Sequence, residues 1–153
     1  MRPTVSEQLA GMRRILVEVV APEVHGAYPA DMLRGIVANL EMLESSWARV
    51  APFLAWDNAE TTRVLRDVQT CVDGTLAPRI QAALGEPEPD PLAADALEAR
   101  NTQLRELLAE AIPLLASGGP GCDEPYTAVR THLRDRIERF PLTLSAPMPG
   151  TKR

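Results

Sequence analysis

Few residues in this chain of 153 have the type and spacing to do chemistry. It has two histidines: His25 stands before Gly26 in the stretch APEVHGAY, and His132 stands three residues before Asp135 in HLRD. A di-metal carboxylate bundle needs Glu-x-x-His on each of two helices, because that spacing aims a carboxylate and an imidazole at one centre. Neither histidine has a glutamate three residues before it, and His132–Asp135 offers the reverse order only once. Cys71 and Cys122 form no CxxC pair, so a zinc site lacks ligands. No metal and no cofactor are expected. The chain also lacks a phosphate-cradling GxxxxGK[ST] loop, a GxSxG elbow and a dinucleotide fingerprint. Gly118, Gly119 and Gly121 fall between two helical stretches, a poor setting for a nucleotide cradle.

What remains is a set of polar residues that helical periodicity turns inward. At roughly 100° per residue, Glu44 falls between Leu40 and Val37, while Asn39 lies beside Met32 and Leu43. Farther along, Arg100 shares the angle of Leu104 and Leu107, and Asn101 that of Leu108. A buried charge left alone is costly, so Glu44 and Arg100 should find each other or another opposite charge. Such a pair would fix helix register. The competing reading is a ligand pocket lined by Asn39, Glu44, Arg100 and Asn101, gated by the His25–Tyr28 corner. A third candidate is a docking surface for an acidic partner, formed by Arg130, Arg134, Arg136 and Arg139.

The elements that position these residues are all helical. Thr4 and Glu7 have capping-box spacing, and a first helix runs to about Val20, ended by Pro22. A second helix starts at Pro29 and breaks at Pro52, with Met32, Leu33, Ile36, Leu40, Leu43, Trp47 and Val50 on its apolar face. Asp57 or Asn58 caps a third helix, whose seam of Val64, Leu65, Val68, Cys71 and Val72 ends at Gly74 in a left-handed cap. A short fourth helix spans Thr75–Leu84, and the acidic, proline-rich stretch 85–91 is an exposed connection. Asp90 and Pro91 open a fifth helix that reaches Ser117, with a kink expected at Pro113. Asp123 caps the sixth, which turns Tyr126, Val129, Leu133, Ile137 and Phe140 inward. The fold class is therefore all-α: an antiparallel bundle of five or six helices, a single domain over 1–140, followed by a disordered tail over 141–153.

Bulk properties narrow the partners. The net charge is −5, with the acidic excess split between the two halves, so no basic region exists to neutralise phosphates and nucleic acid is not an expected partner. Aromatic residues make up only 4% of the chain, which leaves a core of Leu, Val, Ile and Ala. The first residues lack the apolar stretch of a secretory signal, and no apolar run is long enough to span a membrane. Two incidental thiols suit a reducing cytoplasm. Lys152 is the only lysine, a bias typical of a GC-rich bacterial genome.

The run Pro3 to Leu9, the Val19, Val20 and Val24 pattern before a turn, and Ala30 to Leu43 with Asn39 in an apolar helix resemble an uncharacterised family of small all-helical bacterial proteins. Some members of that family are encoded beside phosphotransferase-fold kinases and acyl-CoA dehydrogenase-like enzymes. The resemblance covers about a third of the chain and brings no catalytic motif. It implies an accessory protein rather than an enzyme. The leading expectation is thus a non-catalytic interaction subunit, a homo-oligomer or the companion of another protein, with an apolar patch on the first or sixth helix left for a partner. The alternative is a small-molecule binder or enzyme with a polar pocket inside the bundle.

Overall fold

The computed structural model describes residues 2–72, 74–118 and 120–141. Among them are five α-helices, α1 (Val5–Ile15), α2 (Ala27–Val68), α3 (Leu76–Gly85), α4 (Ala94–Ala116) and α5 (Asp123–Arg139), and no strand. The all-α reading holds, with five helices rather than six. No helix among the described residues is long and apolar enough to cross a membrane. The tail expected from 141 lies, beyond Pro141, outside the described residues.

The described residues divide into two compact units, one comprising residues 2–48 with Pro141, the other lying within Arg49–Phe140. The first is built on a helical hairpin. Thr4 caps α1 through a reciprocal pair of bonds: the Glu7 amide donates to Thr4 Oγ1 at 3.2 Å, and the Thr4 amide donates to Glu7 Oε2 at 2.7 Å. The bonds that Thr4 donates, from its amide and its hydroxyl, hold the Glu7 carboxyl below its ordinary pKa. After Ile15 the helix widens into a π-turn over Leu16–Val20 and ends in a single 3-10 turn, Ala21–Glu23. Pro22 lies within that turn and has no N–H with which to extend the ladder. At Gly26 the backbone takes φ +100°, a conformation side chains rarely adopt, and α2 then returns antiparallel to α1. The two are tied by Arg13 Nε donating to Glu44 at 3.2 Å and Trp47 Nε1 donating to Ser6 Oγ at 3.1 Å.

The largest departure from expectation is α2 itself. It runs through Pro52 as one helix of 42 residues, where the sequence predicts a break and a new helix capped by Asp57 or Asn58. Proline inside a helix costs about 3 kcal/mol. Against that, Phe53, Leu54, Val64, Leu65 and Val68 are all buried on the next four turns. At about 1.5–3 kcal/mol for each buried side chain, continuing the helix wins. Pro52 itself is exposed, so its ring displaces nothing in the core.

In the second unit Val64, Leu65 and Val68 of α2 pack with Ile80 and Ala83 of α3, Leu104, Leu108 and Leu115 of α4, and Val129 of α5. A smaller cluster joins Phe53 and Leu54 to Leu97. Gly74 has the left-handed φ expected there, +70°, but it lies in a turn rather than capping the helix, because α2 ends six residues earlier at Val68. The start of α4 is later than predicted: Asp90 Oδ1 accepts from the Leu92 amide at 2.8 Å, forming a side-chain turn, and the helix begins at Ala94. It continues through Pro113, which is exposed.

Candidate functional site

The densest polar arrangement lies inside the second unit. Asp57, Asn58 and Thr61 of α2 are fully buried, and Asn101 of α4 and His132 of α5 are nearly so. Helical spacing explains the set: positions 54, 57, 58, 61, 65 and 68 share one face, so the stripe that supplies the core also carries these three polar side chains. Asp57 Oδ2 accepts from Arg136 Nε at 2.9 Å and from Asn101 Nδ2 at 2.7 Å. Asn58 Oδ1 accepts from the same amide at 2.9 Å, and Asn58 Nδ2 donates to the Leu97 carbonyl at 3.0 Å. Arg136 lies over the rings of Phe53 and Phe140, which meet edge to face. One carboxylate thus ties α2, α4 and α5 together.

His132 completes the cluster. Its Nε2 lies 3.0 Å from Thr61 Oγ1 and 3.4 Å from Asp57 Oδ1. Burial pushes the imidazole pKa below its ordinary value, and the carboxylates of Asp57 and Glu60 oppose that shift without cancelling it. A hydroxyl–imidazole–carboxylate relay places hydroxyl and carboxylate on different ring nitrogens. Here both approach Nε2, while Nδ1 is buried with no hydrogen-bond partner among the described residues. Thr61 is also sealed from any substrate. The cluster is built to hold helices, not to attack a carbonyl. Among the described residues no group of three His, Cys, Asp or Glu could hold a metal.

The residues singled out in the sequence distribute differently. Arg100 and Asn101 do face inward, both 5% exposed. Arg100 donates to Glu86 at 3.2 Å, to Gln103 at 2.8 Å and to the Ala83 carbonyl at 2.7 Å, so it serves the C-terminal end of α3. Its ion partner is therefore Glu86, from the acidic connection expected to stay clear of the fold. Glu44 is half-buried and pairs with Arg13 inside the hairpin, so the expected Glu44–Arg100 pair is replaced by two local ones. Asn39, His25 and Tyr28 are exposed, contrary to a polar pocket lined by Asn39.

The arginine surface is also divided. Arg130 and Arg134 are exposed, Arg136 is directed onto Asp57, and Arg139 stacks over the Trp56 ring at 4.5 Å. The reason is the rotation of α5, whose inward line is Val129, His132 and Arg136, leaving Ile137 76% exposed instead of buried. Asp57 and Thr61 draw polar residues to that line where periodicity alone would have placed Leu133 and Ile137.

The hairpin presents the opposite surface chemistry. No residue of α1, or of the turns that follow it, is buried. Along α1 and the π-turn that extends it, Val5, Met12, Ile15 and Val19 are exposed as one stripe, and on α2, Met32, Ile36, Leu43 and Trp47 form another. Each stripe flanks the same side of the line along which α1 meets α2, so the two make one apolar face. On the other side lies an open groove of about 490 Å³ between Val17, Ala21 and Val24 and the α2 residues Leu33, Val37 and Ala38, with Arg34 and Glu41 at its rim. Arg34 is engaged by Asp31 one turn away.

No family model, curated protein or solved structure matches this chain.

Proposed function

We propose that the protein is a non-catalytic interaction or accessory subunit that self-associates through the apolar face of its N-terminal hairpin. The observation that carries this reading is the exposure of eight large apolar side chains on a hairpin that buries none of its own apolar residues among positions 5–48. Contiguous patches of that kind mark surfaces that a partner covers. The resemblance to an uncharacterised family of small all-helical bacterial proteins, which implies an accessory role, agrees with it. A cytoplasmic setting belongs to the same reading and rests on Cys71 and Cys122 being thiols rather than a disulfide.

The small-molecule alternative is weaker. The hairpin groove has a ligand-sized volume, but ligand sites add convergent polar groups that fix orientation. Here the floor is aliphatic and the rim arginine is engaged by Asp31.

Sedimentation velocity over a wide range of concentration tests the proposal. The expected result is a monomer–dimer equilibrium that Ile15→Glu with Ile36→Glu abolishes while helicity by circular dichroism is kept. A monomer at every concentration, or a dimer indifferent to both substitutions, would overturn it.

A further inference from the structure

We infer that the occupant of the hairpin face is a second copy of this chain, docked about a two-fold axis at which the two Asn39 side chains pair. This inference rests on the self-association proposed above and adds its geometry. The α2 stripe has alternating steps of four and three residues, Met32, Ile36, Asn39 and Leu43, with Trp47 one turn on. That is the spacing of a seam between packed helices. On α1 and its extension the steps are similar, with Met12, Ile15 and Val19. A hairpin with one seam on each helix is half of a four-helix bundle, and a second hairpin supplies the other half.

The area agrees. Eight large side chains, each about half exposed, offer together roughly 800 Å², which is what one partner contributes to a stable interface of standard size.

Asn39 identifies the partner. It stands at the middle of the α2 stripe, exposed in the chain by itself, with apolar neighbours one turn away on both sides. Covering the stripe takes the carboxamide out of water, and its carbonyl and amino groups then need a donor and an acceptor opposite. A wholly apolar partner supplies neither. Across a two-fold axis the same residue supplies both, since a carboxamide is its own complement and an isologous contact brings like to like. A single polar residue in an otherwise apolar seam also selects one register and one oligomeric state at a cost in affinity. Asn39 then acts as the specificity-determining residue of the interface.

Two variants test this. Asn39→Cys, oxidised mildly, should give a covalent dimer whose linked peptides map residue 39 to residue 39, a product absent from the wild type. Asn39→Leu should associate several-fold more tightly and spread into more than one oligomeric state by sedimentation. A dimer in which the thiol introduced by Asn39→Cys does not cross-link and Asn39→Leu changes neither affinity nor state would overturn the pairing while leaving self-association intact. A wild-type monomer would remove both.

Discussion

The two units use one vocabulary to opposite effect. In residues 5–48 and in residues 49–140 alike, apolar side chains recur at three- and four-residue steps. Among the described residues, those stripes yield sixteen buried apolar side chains in 49–140, while within 5–48 the only buried residue is Ser46. Geometry accounts for the difference. Two antiparallel helices share one line of contact, which leaves a flank open on each, whereas helices in a larger bundle meet neighbours on several sides. Periodicity announces an apolar face. Whether the same chain covers that face is a separate fact, set by how many helices arrive.

The contrast can be broken at several points. The largest effect is expected at Asp57. Asp57→Ala removes the acceptor of Arg136 and Asn101 from a fully buried position, and leaving such a charge without its mate costs about 3–5 kcal/mol. Urea denaturation reads the loss, and a change below about 1 kcal/mol would show that the network carries little weight.

Leu65→Ala comes next. Leu65 is wholly buried in the core, so truncation should lower stability by about 2–5 kcal/mol. The matching change in the hairpin, Ile36→Ala, starts from a side chain 51% exposed and should move monomer stability by no more than about 0.5 kcal/mol. Its effect should instead emerge as weaker dimerisation. Equal losses at both sites would erase the distinction between the units.

His132 sharpens the contrast through pH. Its folded pKa lies below the ordinary 6.5, so the unfolded chain binds the proton more readily. The stabilisation from keeping the imidazole neutral is complete above about 6.5 and is lost as pH falls through that value towards the folded pKa. Asp57, Glu60, Arg136 and Arg63 are the charged groups that act on it. His132→Gln should flatten the melting temperature between neutral and mildly acid pH, and an unchanged slope would assign it to other groups. The smallest effect is expected at Arg79, whose bidentate pair with Glu110 lies in solvent, so Arg79→Ala should leave the melting temperature unchanged within error.

Much of the fold is legible in the sequence. Thr4 and Glu7 announce their cap, Gly74 its left-handed turn, and the stripe from Leu97 to Leu115 places Arg100 and Asn101 inside. The candidate site is hidden behind one local inference. Taking Pro52 as a break makes Asp57 and Asn58 look like caps, since both side chains suit that role. A wheel drawn straight through Pro52 puts both, with Thr61, among Leu54, Leu65 and Val68, and reveals that part of the cluster. His132 and Arg136 sit three and seven residues after Val129, a spacing equally visible. Hydrophobicity favours Leu133 and Ile137 inside, and only a polar surface opposite reverses that preference. Partner choice for Glu44 and Arg100 is beyond periodicity, which gives an angle on a helix and says nothing of what arrives there.

Pro52 has one more consequence. It has no amide hydrogen to give the Ala48 carbonyl, so α2 lacks a rung at the point where one unit ends and the other begins. Helix melting spreads from turn to turn through those rungs, and a missing one acts as a fuse. The hairpin is therefore expected to unwind and re-form without drawing the core after it. Amide exchange should show this directly: within one unbroken helix, protection should be low before residue 48 in the monomer and high from 54 to 68. Association would then damp the opening of a hairpin that is already helical, and the rest of the chain would serve as its anchor.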